Sequence, residues 1–293
     1  MDLGGPEAGE SPAATPVTYE GDGGLRLTGD AYGDPSHSPV VLLHGGGQTR
    51  HAWGGTAAAL AADGWYALSL DLRGHGHSAW DPAGDYSVDA LVRDLGCVLR
   101  RLGRAPVLVG ASLGGLTALA FAGESGEPIA ALVLVDIAPR VEPDGVQRII
   151  EFMTGNPDGF ATLEEAADVV ADYSAHRSRP RDVSGLRKNL RLGGDGRYRW
   201  HWDPRMMSGD KRQSATRNPE RMERCARALR VPTLLVRGRM SDIVSEAGAQ
   251  AFLAMVPHAR YADVSGAGHM VAGDRNDAFS SAVLAFLRDA DLR

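Results

Sequence analysis

The stretch that most constrains this chain is Val107-Leu108-Val109-Gly110-Ala111-Ser112-Leu113-Gly114-Gly115. A continuous apolar run enters Gly-x-Ser-x-Gly, and a small-residue helical pattern follows at once. The run predicts a strand buried on both faces, and the pattern after it predicts a helix. Between them the chain must reverse within a residue or two, at a serine. A turn that tight leaves no room for bulky neighbours, and it holds the serine backbone in a strained conformation. The serine hydroxyl is thereby lifted out of the sheet, beside the first N–H groups of the helix.

The rest of the sequence supplies a fold around that turn. The 293 residues are 43% apolar, enough for a sizeable core. Val17–Tyr19 and Leu25–Ala31 read as strands joined by Gly21-Asp22-Gly23-Gly24. Val40–Leu43 is a buried strand ending in His44-Gly45-Gly46-Gly47. Trp53–Ala62 reads as a helix and Tyr66–Leu70 as another buried strand. It leads into the glycine-broken loop Asp71-Leu72-Arg73-Gly74-His75-Gly76-His77-Ser78. Ser87 caps a helix with Val88, Leu91, Val92, Leu95, Val98, Leu99 and Leu102 on one face, closed by Gly103. Ile129–Val135 is a further buried strand, ending at Asp136.

There the alternation of strand and helix stops. Residues 139–229 read as mainly helical and more charged, with a capping box at Thr162 and Glu165 and a helix start at Asn218-Pro219. The alternation resumes with Thr233–Val236, Ala247–Met255, Tyr261–Val264 and a final helix carrying Phe279, Ala282, Val283, Phe286 and Leu287. The expected organisation is a disordered leader over 1–16 and an α/β core over 17–138 and 230–293. A helical lid over 139–229 is inserted after the sixth strand. The net charge of −6 argues against nucleic acid and anionic membrane as partners. Cys97 and Cys225 fall on apolar helix phases and read as buried thiols. With no basic-then-apolar leader, they point to the cytoplasm.

A free serine hydroxyl is a poor nucleophile and needs a base with a third group behind it. Ser112 opens a nucleophile elbow. His269, in Gly266-Ala267-Gly268-His269-Met270 after the last apolar strand, is the expected base. For the acid, the order serine, aspartate, histidine together with a place just past a buried strand selects two residues. Asp242, in Gly238-Arg239-Met240-Ser241-Asp242, follows the strand before His269 and is preferred. Asp136 also follows a strand between Ser112 and His269 and competes with it; otherwise it anchors the hinge of the insertion or lines the pocket. The His75-x-His77 spacing has no acid or cysteine clustered with it, so no metal is expected.

These motifs together resemble the α/β-hydrolase superfamily. The likeness is to its capped branch of bacterial esterases, meta-cleavage-product (C–C) hydrolases and epoxide-hydrolase-like proteins, and it runs from about Val17 to Leu287. The resemblance implies a mostly parallel eight-stranded sheet flanked by helices. It also implies an oxyanion hole made by the N–H groups of Leu113 and Gly46, with His44 ordering the glycine loop. No cofactor is expected. A serine at the elbow argues against epoxide hydrolysis and dehalogenation, which use aspartate there in this superfamily.

The first expectation is therefore hydrolysis of a carboxylic ester of a small to medium, fairly apolar molecule. C–C cleavage of a diketone and cofactor-free perhydrolysis use the same residues, and a ligand sensor on the same fold is a remote alternative. The expected partner is a small-molecule ester or ketone, and a homo-oligomer is left open. In the inserted segment, Tyr198, Trp200 and Trp202 share one face if the chain is extended, with Arg199 and His201 on the other. The three rings, with Met270 and Asp136, are candidates for a substrate pocket; for most of the ring area the preferred reading is that it glues the lid to the core.

Overall fold

The computed structural model describes residues 13–173, 182–207, 218–271 and 276–292. The leader expected over 1–16 lies mostly outside them, and its last residues already belong to strand β1, Thr15–Glu20. The other strands of the main sheet are β2 (Arg26–Tyr32), β3 (Pro39–Leu43), β4 (Tyr66–Leu70), β5 (Val107–Ala111), β6 (Ala131–Val135), β9 (Thr233–Gly238) and β10 (Arg260–Val264). They form one eight-stranded sheet in the order β1-β2-β4-β3-β5-β6-β9-β10. The hairpin β1–β2 and the β2–β4 pair are antiparallel, and every pair from β4 to β10 is parallel.

Strand side chains alternate between the two faces, so each buried strand feeds two cores. Val41, Leu43, Leu108, Leu132, Leu134 and Leu235 join a cluster with Leu91, Leu95, Phe121, Cys225 and Phe252. These partners lie on helices α2 (Val88–Leu102), α3 (Leu113–Glu124), α6 (Pro219–Ala228) and α7 (Glu246–Met255). Val40, Leu42, Val107, Val109, Val133 and Val236 join the opposite cluster, with Leu60, Phe279 and Val283. Those come from α1 (Gly54–Ala62) and α8 (Asn276–Asp289). Covering both faces explains why the strands read as unbroken apolar runs rather than as alternating patterns.

The chain between β6 and β9 holds α4 (Pro143–Thr154), α5 (Leu163–Tyr173) and α6, and also a small antiparallel pair, β7 (Leu190–Leu192) with β8 (Tyr198–Trp200). This pair departs from the mainly helical expectation. The glycine-rich turn Gly193-Gly194-Asp195-Gly196 reverses the chain, with Gly196 at φ 77° and Asp195 bound to the N–H of Arg197. Met153, Phe160, Leu163, Leu190, Trp200, Trp202 and Met206 form a third cluster, separate from the two sheet cores.

Candidate active site

Among the described residues, the only non-glycine positions with positive φ are Ser112, Asp136 and Asp291. Ser112 and Asp136 each follow the last residue of a parallel strand, β5 and β6, which are hydrogen-bonded neighbours. Ser112 has φ 45° and ψ −113°, outside the regions an L-residue normally adopts. It is held there by close backbone approach on both sides. A Cβ on Gly110 would lie 2.4 Å from the Gly114 carbonyl oxygen, and one on Gly114 would lie 2.3 Å from that of Leu43. Only glycine at these positions lets β5, the turn and α3 close up.

His269, half-buried after β10, directs Nδ1 to Asp136 Oδ2 at 2.7 Å. A carboxylate only accepts, so Nδ1 carries the proton and Nε2 is bare. The Asp136 carboxylate is fully buried and saturated with donors. The Gly238 N–H reaches Oδ1 at 3.0 Å, and the Ser241 hydroxyl reaches Oδ2 at 2.5 Å. The Asp136 N–H is itself fixed to the Val236 carbonyl at 2.7 Å. The expectation that Asp242 stands behind His269 is corrected: of the two candidates, the histidine meets Asp136. Asp242 is partly exposed and ion-paired with Arg148 of α4. It is Ser241, one residue earlier, that faces the histidine's partner, with its oxygen also accepting the N–H groups of Ile243 and Val244.

The glycine loop after β3 runs against the serine: a Cβ on Gly45 would sit 3.3 Å from that of Ser112. Its peptide groups are pinned on either side of Gly46. The Gly45 N–H donates to Gln48 Oε1 at 2.9 Å, and the Gly45 carbonyl accepts from His44 Nδ1 at 2.8 Å. The Gly47 N–H donates to His75 Nε2 at 3.2 Å, and the Gly47 carbonyl accepts from His201 Nε2 at 3.3 Å. The Gly114 N–H is taken by the His44 carbonyl at 3.1 Å.

Three buried imidazoles thus lace the loop, and backbone donors fix each tautomer. His44 Nε2 accepts from Leu72, so its Nδ1 donates. His75 Nδ1 faces the Arg73 carbonyl at 3.1 Å, leaving Nε2 to accept from Gly47. His201 Nδ1 accepts from Gly76 at 2.7 Å, leaving Nε2 to donate. Burial lowers the pKa of all three, that of His75 to about 3 with the neighbouring His44 adding to the effect. All their ring nitrogens are engaged, and among the described residues no His, Cys, Asp and Glu group has the makings of a metal site.

The profile of the alpha/beta hydrolase fold matches residues 38–275. The chain belongs to the alpha/beta hydrolase fold family. It is 33% identical to esterase Rv0045c of Mycobacterium tuberculosis over 248 residues, covering 80% of this chain and 78% of that one. It is 28% identical to a 3-hydroxybutyrate-oligomer hydrolase of Cupriavidus necator, covering 83% and 87%. An alpha/beta hydrolase from Novosphingobium aromaticivorans superposes with a TM-score of 0.78 at 27% identity, covering 94% of this chain and 98% of that one.

In this α/β hydrolase the segment between β6 and β9 touches the glycine loop directly. A Cβ on Gly47, at φ 75°, would lie 3.5 Å from both Met153 and Trp202. Trp202 stacks on Trp200 at 5.0 Å and 11°, and Trp200 meets Phe160 edge-on at 5.1 Å. Tyr198, half-buried, pairs through its backbone with Phe160. Met270 is half-buried beside His269. Sequence reasoning put His201 on the face opposite the rings and gave it no part. The signal was its place in Trp200-His201-Trp202: in an extended chain the two rings pack one way and the imidazole must point the other.

Among the described residues, no helix is long and apolar enough to cross a membrane.

Proposed function

We propose that the protein is a serine hydrolase acting on carboxylic esters through an acyl-enzyme, with Ser112 as nucleophile, His269 as base and Asp136 as the residue that orients it. The observation that carries this reading is the His269–Asp136 contact of 2.7 Å between the loops after β10 and β6, with Ser112 in a strained turn at the end of β5, the strand next to β6. The esterase and ester-hydrolase relatives support the bond type. C–C hydrolysis and perhydrolysis remain the competing readings of the same residues.

Ser112 Oγ attacks the ester carbonyl, and its proton passes to the bare Nε2 of His269. The imidazolium that forms is stabilised by the Asp136 carboxylate against Nδ1–H. The carbonyl oxygen becomes an oxyanion and takes hydrogen bonds from the N–H groups of Leu113 and Gly46. Neither of these has a partner among the described residues, while the flanking peptide groups are all engaged. Each such donor is worth roughly 2.7–4 kcal/mol in the transition state. The C–O bond breaks, the alcohol leaves with the proton from His269, and water repeats the sequence to release Ser112 and a carboxylic acid. Met153, Trp200 and Trp202, on the segment read as a lid over 139–229, make the acyl side of the site apolar.

The test is Ser112→Ala assayed on p-nitrophenyl esters of increasing chain length beside one diketone, with intact mass after a fluorophosphonate. One adduct on the wild type, none on the variant and lost ester turnover are expected. Retained turnover by the variant removes the serine mechanism, and a preference for the diketone transfers the activity to C–C hydrolysis.

A further inference from the structure

On the β1–β2 side of the sheet, a groove with a cavity volume of about 640 Å³ opens between the hairpin, the loop after β4 and strand β7. It is lined by Thr18, Arg26 and Thr28 from the hairpin, His77 and Trp80 from the loop, and Arg191 from β7; no carboxylate lines it. Neither arginine has a carboxylate partner among the described residues, although most of the described arginines do. Both are positioned by neutral groups. Arg26 Nη1 donates to the Thr28 hydroxyl at 3.0 Å. Arg191 Nη2 donates to the Gly76 carbonyl at 2.6 Å, and its guanidinium lies over the Trp80 ring at 4.8 Å.

Two like charges held together without an acid repel each other. Partial desolvation lowers the Arg191 pKa and the field of Arg26 adds to that, against the attraction of Asp203 and Asp71. Those two carboxylates are already occupied elsewhere. Asp71 is bound by Arg50 and by the N–H of His77, and Asp203 by Arg205 and Tyr86. Arg50 Nη1 donates to His77 Nδ1 at 3.1 Å, which leaves Nε2–H of His77 as a further donor at the groove. The groove therefore offers two guanidiniums, an imidazole N–H and hydroxyls beside a half-exposed indole, and nothing to balance their charge.

We propose that this groove binds a small oxyanion, the phosphate or carboxylate group of a ligand, between Arg26 and Arg191, with Trp80 beneath its organic part. A planar guanidinium presents paired N–H donors that match such a group. The site is separate from the Ser112 chemistry and does not depend on the reading given to it.

The experiment follows tryptophan fluorescence and the melting temperature of the full chain in inorganic phosphate, in succinate and in sodium chloride at matched ionic strength. A saturable fluorescence change and a rise in Tm with phosphate or succinate, but not with chloride, are expected; which of the two acts tells a tetrahedral from a planar group. Arg26→Gln and Arg191→Gln should each weaken binding at least tenfold, Arg101→Gln should not, and Trp80→Phe should lose the optical signal while keeping the Tm rise. Because Arg26 lies on an exposed strand position, its variant stays informative even if Arg191→Gln disturbs β7. The Arg26 arm also separates this groove from carboxylate binding at Ser112. No saturable response to either anion, or a response unchanged in a folded Arg26→Gln, overturns the proposal.

Discussion

Asp136 and His269 stand 133 residues apart in the chain and 2.7 Å apart in space. The strand order makes this possible: β6 carries Asp136, and β9 and β10 follow it in the sheet, so the loop after β10 folds back over β9. Asp136→Asn should lower kcat by roughly 10³–10⁴-fold. An amide nitrogen in place of Oδ2 would donate toward Nδ1, move the imidazole proton to Nε2 and leave no base for Ser112. Asp242→Asn removes only an ion pair in a partly exposed position and should stay within about threefold of the parent. Steady-state kinetics on one p-nitrophenyl ester decide it; the reverse ranking restores Asp242 as the acid.

The sheet was legible because burial on both faces writes strands as unbroken apolar runs, and Gly110, Ser112 and Gly114 were legible because their spacing is steric. The acid was not. Asp136 and Asp242 both follow buried strands, and no local property separates them. What separates them is a crossing of chain segments. Gly238 must be glycine because a Cβ there would lie 2.1 Å from the Gly268 carbonyl oxygen. That close approach places the His269 loop over the end of β9 and within reach of β6, while Asp242 is drawn toward α4 by Arg148. The short β7–β8 pair was missed for a similar reason. Three-residue strands carry too few positions for a period to appear.

His201 links the β6–β9 segment to the glycine loop, so its loss should reach the chemistry and not only the packing. His201→Phe keeps a ring but leaves the Gly76 N–H and the Gly47 carbonyl without their partner, at a cost of about 1–3 kcal/mol for each group left unsatisfied. The Gly47–Gln48 peptide then loses a tether, the glycine loop loosens, and kcat should fall about tenfold or more with KM little changed. His201→Gln, which retains an acceptor and a donor, should recover part of it. A variant that melts earlier but keeps its kcat would make His201 a packing residue alone.

Gly46 and Gly47 should respond differently to alanine. Gly47 sits at φ 75°, where a side chain is strained whatever space surrounds it, and Gly47→Ala should cost about 1–2 kcal/mol of stability. Gly46 lacks that restriction, and the nearest atom to a Cβ there is Met153 Sδ at 3.9 Å. Gly46→Ala should therefore melt like the parent. If the substrate carbonyl lies against the Gly46 N–H, the added methyl should still cut kcat/KM by about tenfold. Thermal melts beside kinetics test this, and an unchanged kcat/KM would place the second oxyanion donor elsewhere.

The buried imidazoles give stability a definite pH dependence. His44, His75 and His201 are neutral when folded, because burial lowers each pKa; for His44 the nearby Asp71 carboxylate opposes the shift without reversing it. In the unfolded chain each titrates near its ordinary value of about 6.5. Unfolding below that value therefore takes up protons, and falling pH favours the unfolded state. The contribution of neutral burial is complete above about pH 6.5 and is lost progressively as pH falls toward the lowered folded values, about 3 for His75. Each ring that stays neutral in the fold costs about 1.4 kcal/mol per pH unit across that range. Urea denaturation between pH 7.5 and pH 5 should show stability falling toward the acid end, by about 2 kcal/mol from His75 alone, with a shallower slope in His201→Gln. A stability that is level across this interval, or a slope unchanged in His201→Gln, would mean that these imidazoles are protonated in the folded protein and that the hydrogen bonds from Leu72, Gly47 and Gly76 are not made.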